Sequence, residues 1–149
     1  MPNLLERTGK LLFRLRSYTP IPLILLALIF RQFRWSMVIT GTIILIIGET
    51  IRIWAVGYAG GRTRTRTVSA ARDLVTTGPY AYTRNPLYLG NLLVSSGICL
   101  TSGIFWLLPV LWGLFFLQYV PIISSEEQFL IRNYNQLYET YRSEVPGFW

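Results

Sequence analysis

Two stretches of the 149-residue chain gather side chains able to act on a ligand. The first is Arg72-Asp73-Leu74-Val75-Thr76-Thr77-Gly78-Pro79-Tyr80-Ala81-Tyr82-Thr83-Arg84-Asn85-Pro86-Leu87-Tyr88-Leu89-Gly90, and the second is the pair Glu126 and Glu127. Tyr80, Tyr82 and Tyr88 offer π faces, which attract cations by roughly 0.5–2 kcal/mol. Gly78-Pro79 and Asn85-Pro86 bend the backbone so that its amides can face a ligand. Arg84 is the candidate partner for an anion, because its planar fork matches a carboxylate or phosphate. Each feature also has a plainer reading. A Pro-Tyr turn before an apolar helix is often an interfacial belt, and two acids at a helix start offset its dipole.

The rest of the composition narrows the chemistry. The chain contains no histidine, so imidazole bases, Ser-His triads and histidine-ligated metals are excluded. Cys99 is the only cysteine and sits in an apolar run, which leaves no internal disulfide and no cysteine-rich zinc site; no metal is expected.

The elements that must position these residues are apolar. Hydrophobic residues make up 52% of the chain and charged ones 14%, far from a soluble composition. A net charge of +7 suits either nucleic acid or an anionic membrane face. Long apolar runs between the basic clusters favour the membrane, with membrane lipids and no nucleic acid as partners. The reading is a single domain, 1–149, all-α and integral to the membrane. Four transmembrane helices form two antiparallel hairpins, and a cytoplasmic loop with a C-terminal amphipathic helix forms the ligand site. Residues 1–19 are a basic amphipathic lead-in and residues 20–123 hold the transmembrane helices and loop. The expected spans are 20–33, 35–56, 87–101 and 104–123, turning at 31–34 and near 101–103. Residues 57–86 are a long polar loop. After Pro121, Phe129, Leu130, Tyr134, Leu137, Tyr138 and Tyr141 recur at helical spacing, so 124–149 is read as an amphipathic helix ended by Val145-Pro146.

Positive charge sets the orientation. Arg7, Lys10, Arg14, Arg16, Arg62, Arg64, Arg66, Arg72, Arg84, Arg132 and Arg142 fall on one side, and only Arg31 and Arg34 on the other. The excess belongs in the cytoplasm, which places both termini and the polar loop there. The run Arg62, Arg64, Arg66 is read as a lipid-headgroup contact. Glu49 and Arg52, three apart within the second span, are expected to form an ion pair that is structural or lines a substrate path.

The first cluster resembles the signature of the isoprenylcysteine carboxyl methyltransferase and phospholipid methyltransferase family, which reads LVTxGPYxxxRHPxYxG. The glutamate pair resembles that family's own, followed by a Tyr-x-x-Tyr helix and a Val-Pro-x-Phe ending, here Tyr138, Tyr141, Val145, Pro146 and Phe148. The resemblance implies S-adenosylmethionine as methyl donor and a lipid or prenylated acceptor from the bilayer. Carried over by position, its cofactor contacts are Arg72, Asp73, Leu74, Val75, Tyr80, Asn85, Pro86, Leu87, Tyr88 and Glu126. Glu126 would take the cofactor's ammonium, and Tyr80 with Tyr88 would wall its ring and sulfonium. Arg84 would hold the cofactor carboxylate or a substrate headgroup, and Glu127 or a tyrosine would be the base for an amine acceptor.

The chain departs from the pattern twice. Asn85 stands where many members have histidine, although phospholipid methyltransferases can have Asn-Pro. Ile122 stands where the isoprenylcysteine enzymes have an arginine for the substrate carboxylate, so the expected acceptor is another lipophilic molecule. The competing readings are an NADPH-dependent sterol-type membrane reductase and a non-enzymatic membrane scaffold.

Overall fold

The computed structural model describes residue 18, residues 20–60 and residues 74–147. The lead-in at the amino terminus, the Arg62, Arg64, Arg66 run, Arg72, Asp73 and Phe148 lie outside the described residues. Among the described residues there are four α-helices and one 3-10 turn, with no strand: α1 (Pro20–Ile29), α2 (Trp35–Ala59), the turn Gly78–Ala81, α3 (Pro86–Thr101) and α4 (Leu107–Glu144).

Glycine spacing decides how α2 and α3 meet. Gly41 and Gly48 on α2 are seven residues apart, as are Gly90 and Gly97 on α3, and the helices run antiparallel with Gly41 against Gly97 and Gly48 against Gly90. A Cβ on Gly41 would lie 2.7 Å from the Gly97 carbonyl oxygen, and one on Gly97 would lie 2.6 Å from that of Gly41. The backbones therefore touch directly, as small residues permit in membrane helix pairs.

The opposite face of α3 packs on α4. Tyr88, Phe115, Tyr119, Ile122 and Ile123 form one core with Leu92 against it, and Trp112 donates from Nε1 to Ser96 Oγ at 2.9 Å. Ala27 of α1 joins Cys99, Ile104, Leu107 and Leu111 in a second core. The turns at this end are pinned together, since the Gln32 amide donates to the Ser102 carbonyl at 2.8 Å. Gly103 makes that approach possible: its φ is +78°, and a side chain there would collide with the Gln32 carbonyl.

α2 and α4 are long and apolar enough to cross a membrane. At 1.5 Å per residue, the 25 residues of α2 span about 38 Å, more than a hydrocarbon core of about 30 Å. Only 11% of the apolar window of α2 is buried inside the protein, and Ile39, Ile43, Ile46 and Ile53 lie on its surface. A core helix of a soluble protein would be covered instead. α1 and α3 have 10 and 16 residues, so α1 is shorter than the stretch 20–33 expected from sequence.

The largest difference from expectation is at α4. The sequence reads as a span over 104–123 followed by a distinct amphipathic helix from 124; the structure has one helix of 38 residues running through Pro121. Proline removes one N–H and crowds the carbonyl four residues before it, a loss that packed membrane helices tolerate. The helical path breaks instead at Asn135, with φ 44° and ψ −122°. Asparagine is among the few non-glycine residues that visit positive φ routinely. The helix ends at Val145-Pro146, as its sequence requires.

Candidate active site

The 3-10 turn is docked on the C-terminal end of α2. Gly78 has φ +63°, and a Cβ there would come within 2.6 Å of the Tyr58 ring, so only glycine fits both the backbone and the contact. Trp54 and Tyr82 add a second aromatic contact, with ring centroids 6.1 Å apart. The Tyr82 and Thr83 amides both donate to the Pro79 carbonyl at 3.2 Å, closing the turn. Pro86 then starts α3, where a missing N–H costs nothing.

The far end of α4 folds over this turn. Tyr141 donates its hydroxyl to the Tyr80 carbonyl at 2.6 Å, and the Arg84 amide donates to the Pro146 carbonyl at 3.0 Å. Between them Arg84 Nη1 lies 2.8 Å from Glu127 Oε1, with side chains only 13% and 19% exposed. Arg84 and Glu127, read from sequence as separate catalytic groups, are thus partners of one another. Tyr138 and Tyr141 were not among the expected site residues. Their Tyr-x-x-Tyr spacing among charged neighbours was the signal that they reach inward, and both are buried.

Electrostatics keeps these phenols neutral. Burial raises the Tyr80 hydroxyl far above its ordinary range, and the charge of Glu126 and the phenol of Tyr141 add to it. Burial is also the main cause of the upward shifts of Tyr138 and Tyr141, with Glu127 adding to the first and Tyr138 to the second. A phenol shifted upward has almost no phenolate at neutral pH, so none of the three is a base there, and Tyr141 serves as a hydrogen-bond donor to Tyr80. Tyr141→Phe removes one donor while keeping the ring. It is expected to cost about 0.5–1.5 kcal/mol, read as a modest fall in thermal stability in detergent; no change would show the hydrogen bond to be dispensable.

Two buried N–H-bearing atoms here have no acceptor: Arg84 Nε and Asn85 Nδ2. Arg84 Nη1 is engaged in the ion pair with Glu127 at 2.8 Å. Buried polar groups are nearly always satisfied, and leaving one unmade costs about 1–3 kcal/mol. Adjacent unsatisfied donors are therefore a place for a ligand's acceptor oxygens. Leu74, Val75, Tyr80 and Leu87 are half-buried around the same turn, Asn85 and Pro86 are buried, and Glu126 and Glu127 are half-buried on α4. Tyr88 is not an open wall: it lies in the α3–α4 core, its ring centroid 5.1 Å from that of Tyr119. Ile122 is fully buried in that core too, which leaves no space there for an arginine. A cavity of about 270 Å³ lies at the other end of the helices, lined by Ile24, Ala27, Arg31, Val38 and Thr101 among others, far from these groups.

Residues 36–137 match the family model for phospholipid methyltransferase. The chain belongs to the phospholipid methyltransferase family. It is 32% identical over 111 residues to a protein-S-isoprenylcysteine O-methyltransferase of Schizosaccharomyces pombe, covering 69% of this chain and 45% of that one. It is also 30% identical over 136 residues to the nickel-cobalt-cadmium resistance protein NccN of Alcaligenes xylosoxydans xylosoxydans, covering 87% of this chain and 60% of the relative. The cobalt-zinc-cadmium resistance protein CzcN of Cupriavidus metallidurans matches at 29%, covering 87% and 59%. The chain thus spans about three fifths of the length of those two relatives. No solved structure matches it. Family and fold together are those of a membrane protein, with α2 and α4 long and apolar enough to cross a bilayer. As for the metals in two relatives' names, no three of His, Cys, Asp and Glu are grouped to hold an ion among the described residues.

Proposed function

We propose that this phospholipid methyltransferase family member uses S-adenosylmethionine to methylate a lipophilic acceptor drawn from the bilayer. In this reading all four helices belong to two membrane hairpins with both termini in the cytoplasm. The observation that carries it is the set of buried, unsatisfied donors on Arg84 and Asn85 beside the Glu126 and Glu127 face of α4. These residues fit the cofactor's amino-acid end. Arg84 and Asn85 would hold a carboxylate, Glu126 an ammonium, and Leu74, Val75, Pro86 and Leu87 would form apolar walls. Arg72 and Asp73 complete the expected set by position in sequence. When bound, the cofactor supplies a methyl carbon: an acceptor lone pair forms the new bond as the carbon–sulfur bond breaks onto sulfur.

The chain's residues then orient and exclude water, which accounts for most of the rate gain in such transfers. A carboxylate or thiolate acceptor needs no base. An amine must first lose a proton, and with the tyrosines held neutral Glu127 is the group left to take it. A carboxylate arriving at Arg84 competes with Glu127 for the guanidinium, so binding and proton acceptance are linked through one residue. The helical rise supports the placement. Glu126 is 19 residues beyond Leu107, about 28 Å along α4, so a helix entering on one side presents its glutamates at the other surface.

The test is thermal stabilisation of the purified protein by S-adenosylhomocysteine. Stabilisation is expected, with none from NADPH; the reverse would install the reductase reading, and neither ligand binding would leave a scaffold. Glu126→Gln is expected to weaken S-adenosylhomocysteine binding more than Glu127→Gln. The lost charge-assisted contact is worth about 1.5–3 kcal/mol, or roughly ten- to a hundredfold in Kd. Equal, negligible effects would return both glutamates to a solvated helix face.

A further inference from the structure

The cavity at the end of the helices away from the glutamates has a volume of about 270 Å³, and the site above does not use it. Ile24, Ala27 and Leu28 of α1 and Val38 of α2 wall it. Ala27 is buried while Ile24 and Leu28 are exposed, so the space opens along α1 to whatever surrounds the helices. Arg31, in the turn that follows α1, lines it too. Its guanidinium carbon lies 5.8 Å from the centroid of the Phe33 ring, and Phe33 meets Trp35 edge-on with centroids 4.9 Å apart. Both rings are exposed, as aromatic residues are at a membrane interface. The cavity therefore begins at headgroup level and continues between apolar walls.

Among the described residues Arg31 has no carboxylate partner. The sequence holds no Asp or Glu from residue 7 to 48 or from residue 74 to 125. Glu49, the first acid on α2, lies fourteen residues past Trp35, about 21 Å along the helix, and pairs with Arg52 at 2.8 Å. The hydroxyls that line the cavity are already spent: Thr101 donates to the Ile98 carbonyl at 2.8 Å and Ser102 to the Cys99 carbonyl at 2.6 Å. A cation without an acid, at the mouth of an apolar slot, calls for an anion that carries a chain. A choline head would bring a second cation against Arg31, and a free phosphate would leave the slot unfilled. We propose that this cavity binds an anionic phospholipid, its phosphate on the Arg31 guanidinium and one acyl chain between α1 and α2, and that the lipid fastens α1 to the other helices. The planar fork of arginine suits a phosphate, and a volume near the lower bound of about 300 Å³ for small-molecule sites suits one chain. This lipid is not the methyl acceptor. Ala27 shares a core with Leu107, the end of α4 that lies about 28 Å from Glu126, and the proposal does not rest on the methyl-transfer reading.

The experiment uses the full chain, delipidated in detergent, with dioctanoyl phosphatidylglycerol, dioctanoyl phosphatidylcholine and inorganic phosphate, following lipid binding by native mass spectrometry and thermal unfolding in parallel. The unaltered protein is expected to hold phosphatidylglycerol about tenfold or more tighter than phosphatidylcholine, and to unfold at a higher temperature with it but not with phosphate. Arg31→Gln should abolish that preference. Arg34→Gln, in the same turn but outside the cavity lining, should keep it. Leu28→Trp, at an exposed position on the rim, should fill the slot and weaken phosphatidylglycerol binding by about tenfold. Equal affinity for the two lipids overturns the proposal without any variant having to fold. Equal losses in Arg31→Gln and Arg34→Gln overturn it in favour of a diffuse basic surface, and equal stabilisation by phosphate alone overturns it in favour of a simple anion site. Undiminished binding to Leu28→Trp puts the chain elsewhere and overturns it too.

Discussion

Arg84→Ala is expected to lower stability by about 3–5 kcal/mol, the cost of stranding one partner of a buried ion pair. Glu127 would be left half-buried with no cation beside it, and the turn at residues 78–85 would lose its charged tie to α4. Thermal unfolding in detergent reads the effect. Arg84→Lys keeps the charge but not the planar fork, so it should recover part of the stability and little of the ligand binding. The double variant Arg84→Ala, Glu127→Gln should be more stable than Arg84→Ala alone, since its buried site no longer holds an unpaired charge. If the double variant is the less stable of the two, the pair is not coupled and the close approach of Arg84 and Glu127 carries little energy.

Gly97→Leu should be at least as severe. Its Cβ would lie 2.6 Å from the Gly41 carbonyl oxygen and 2.7 Å from the Leu45 amide nitrogen, and backbone atoms cannot rotate out of the way as a side chain can. Overpacking a core costs roughly 1–3 kcal/mol and more where nothing yields, so separation of α2 from α3 and loss of folded protein on purification are expected. Gly113→Ala is the control. Nothing lies within 4 Å of a Cβ there, and alanine's helix propensity should leave stability equal or raise it by up to ~1 kcal/mol. Comparable yields of the two variants would show that the glycine contact does not hold the helices together.

Helix identity was legible because apolar runs and turn residues are local signals. The 31–34 turn, the start of α3 at Pro86 and the stop at Val145-Pro146 all stand where residue chemistry puts them. Continuity through Pro121 was not legible, because proline disfavours a helix interior locally and only its packed surroundings decide otherwise. The pairing of Gly41 with Gly97 and of Gly48 with Gly90 rests on which helices become neighbours, which periodicity within one helix does not contain. In the site, Arg84, Asn85, Glu126 and Glu127 could be singled out by type and order. That Arg84 pairs with Glu127, and that Tyr88 turns into the α3–α4 core, depends on the angle at which α4 returns over the turn.

The unbroken passage of α4 from lipid-facing surface to glutamates has a mechanical meaning. From Leu107 to the break at Asn135 it is a rod about 42 Å long packed against α3, and such a rod is a lever. Hydrophobic mismatch changes the tilt of a membrane helix, and any tilt at the apolar end of this rod swings Glu126 and Glu127 near the other, while Tyr138 and Tyr141 lie beyond the break. Lipid chain length and the geometry of the candidate site are therefore not independent variables for this protein: the thickness of the bilayer is transmitted, through one helix, to the glutamates that face that site.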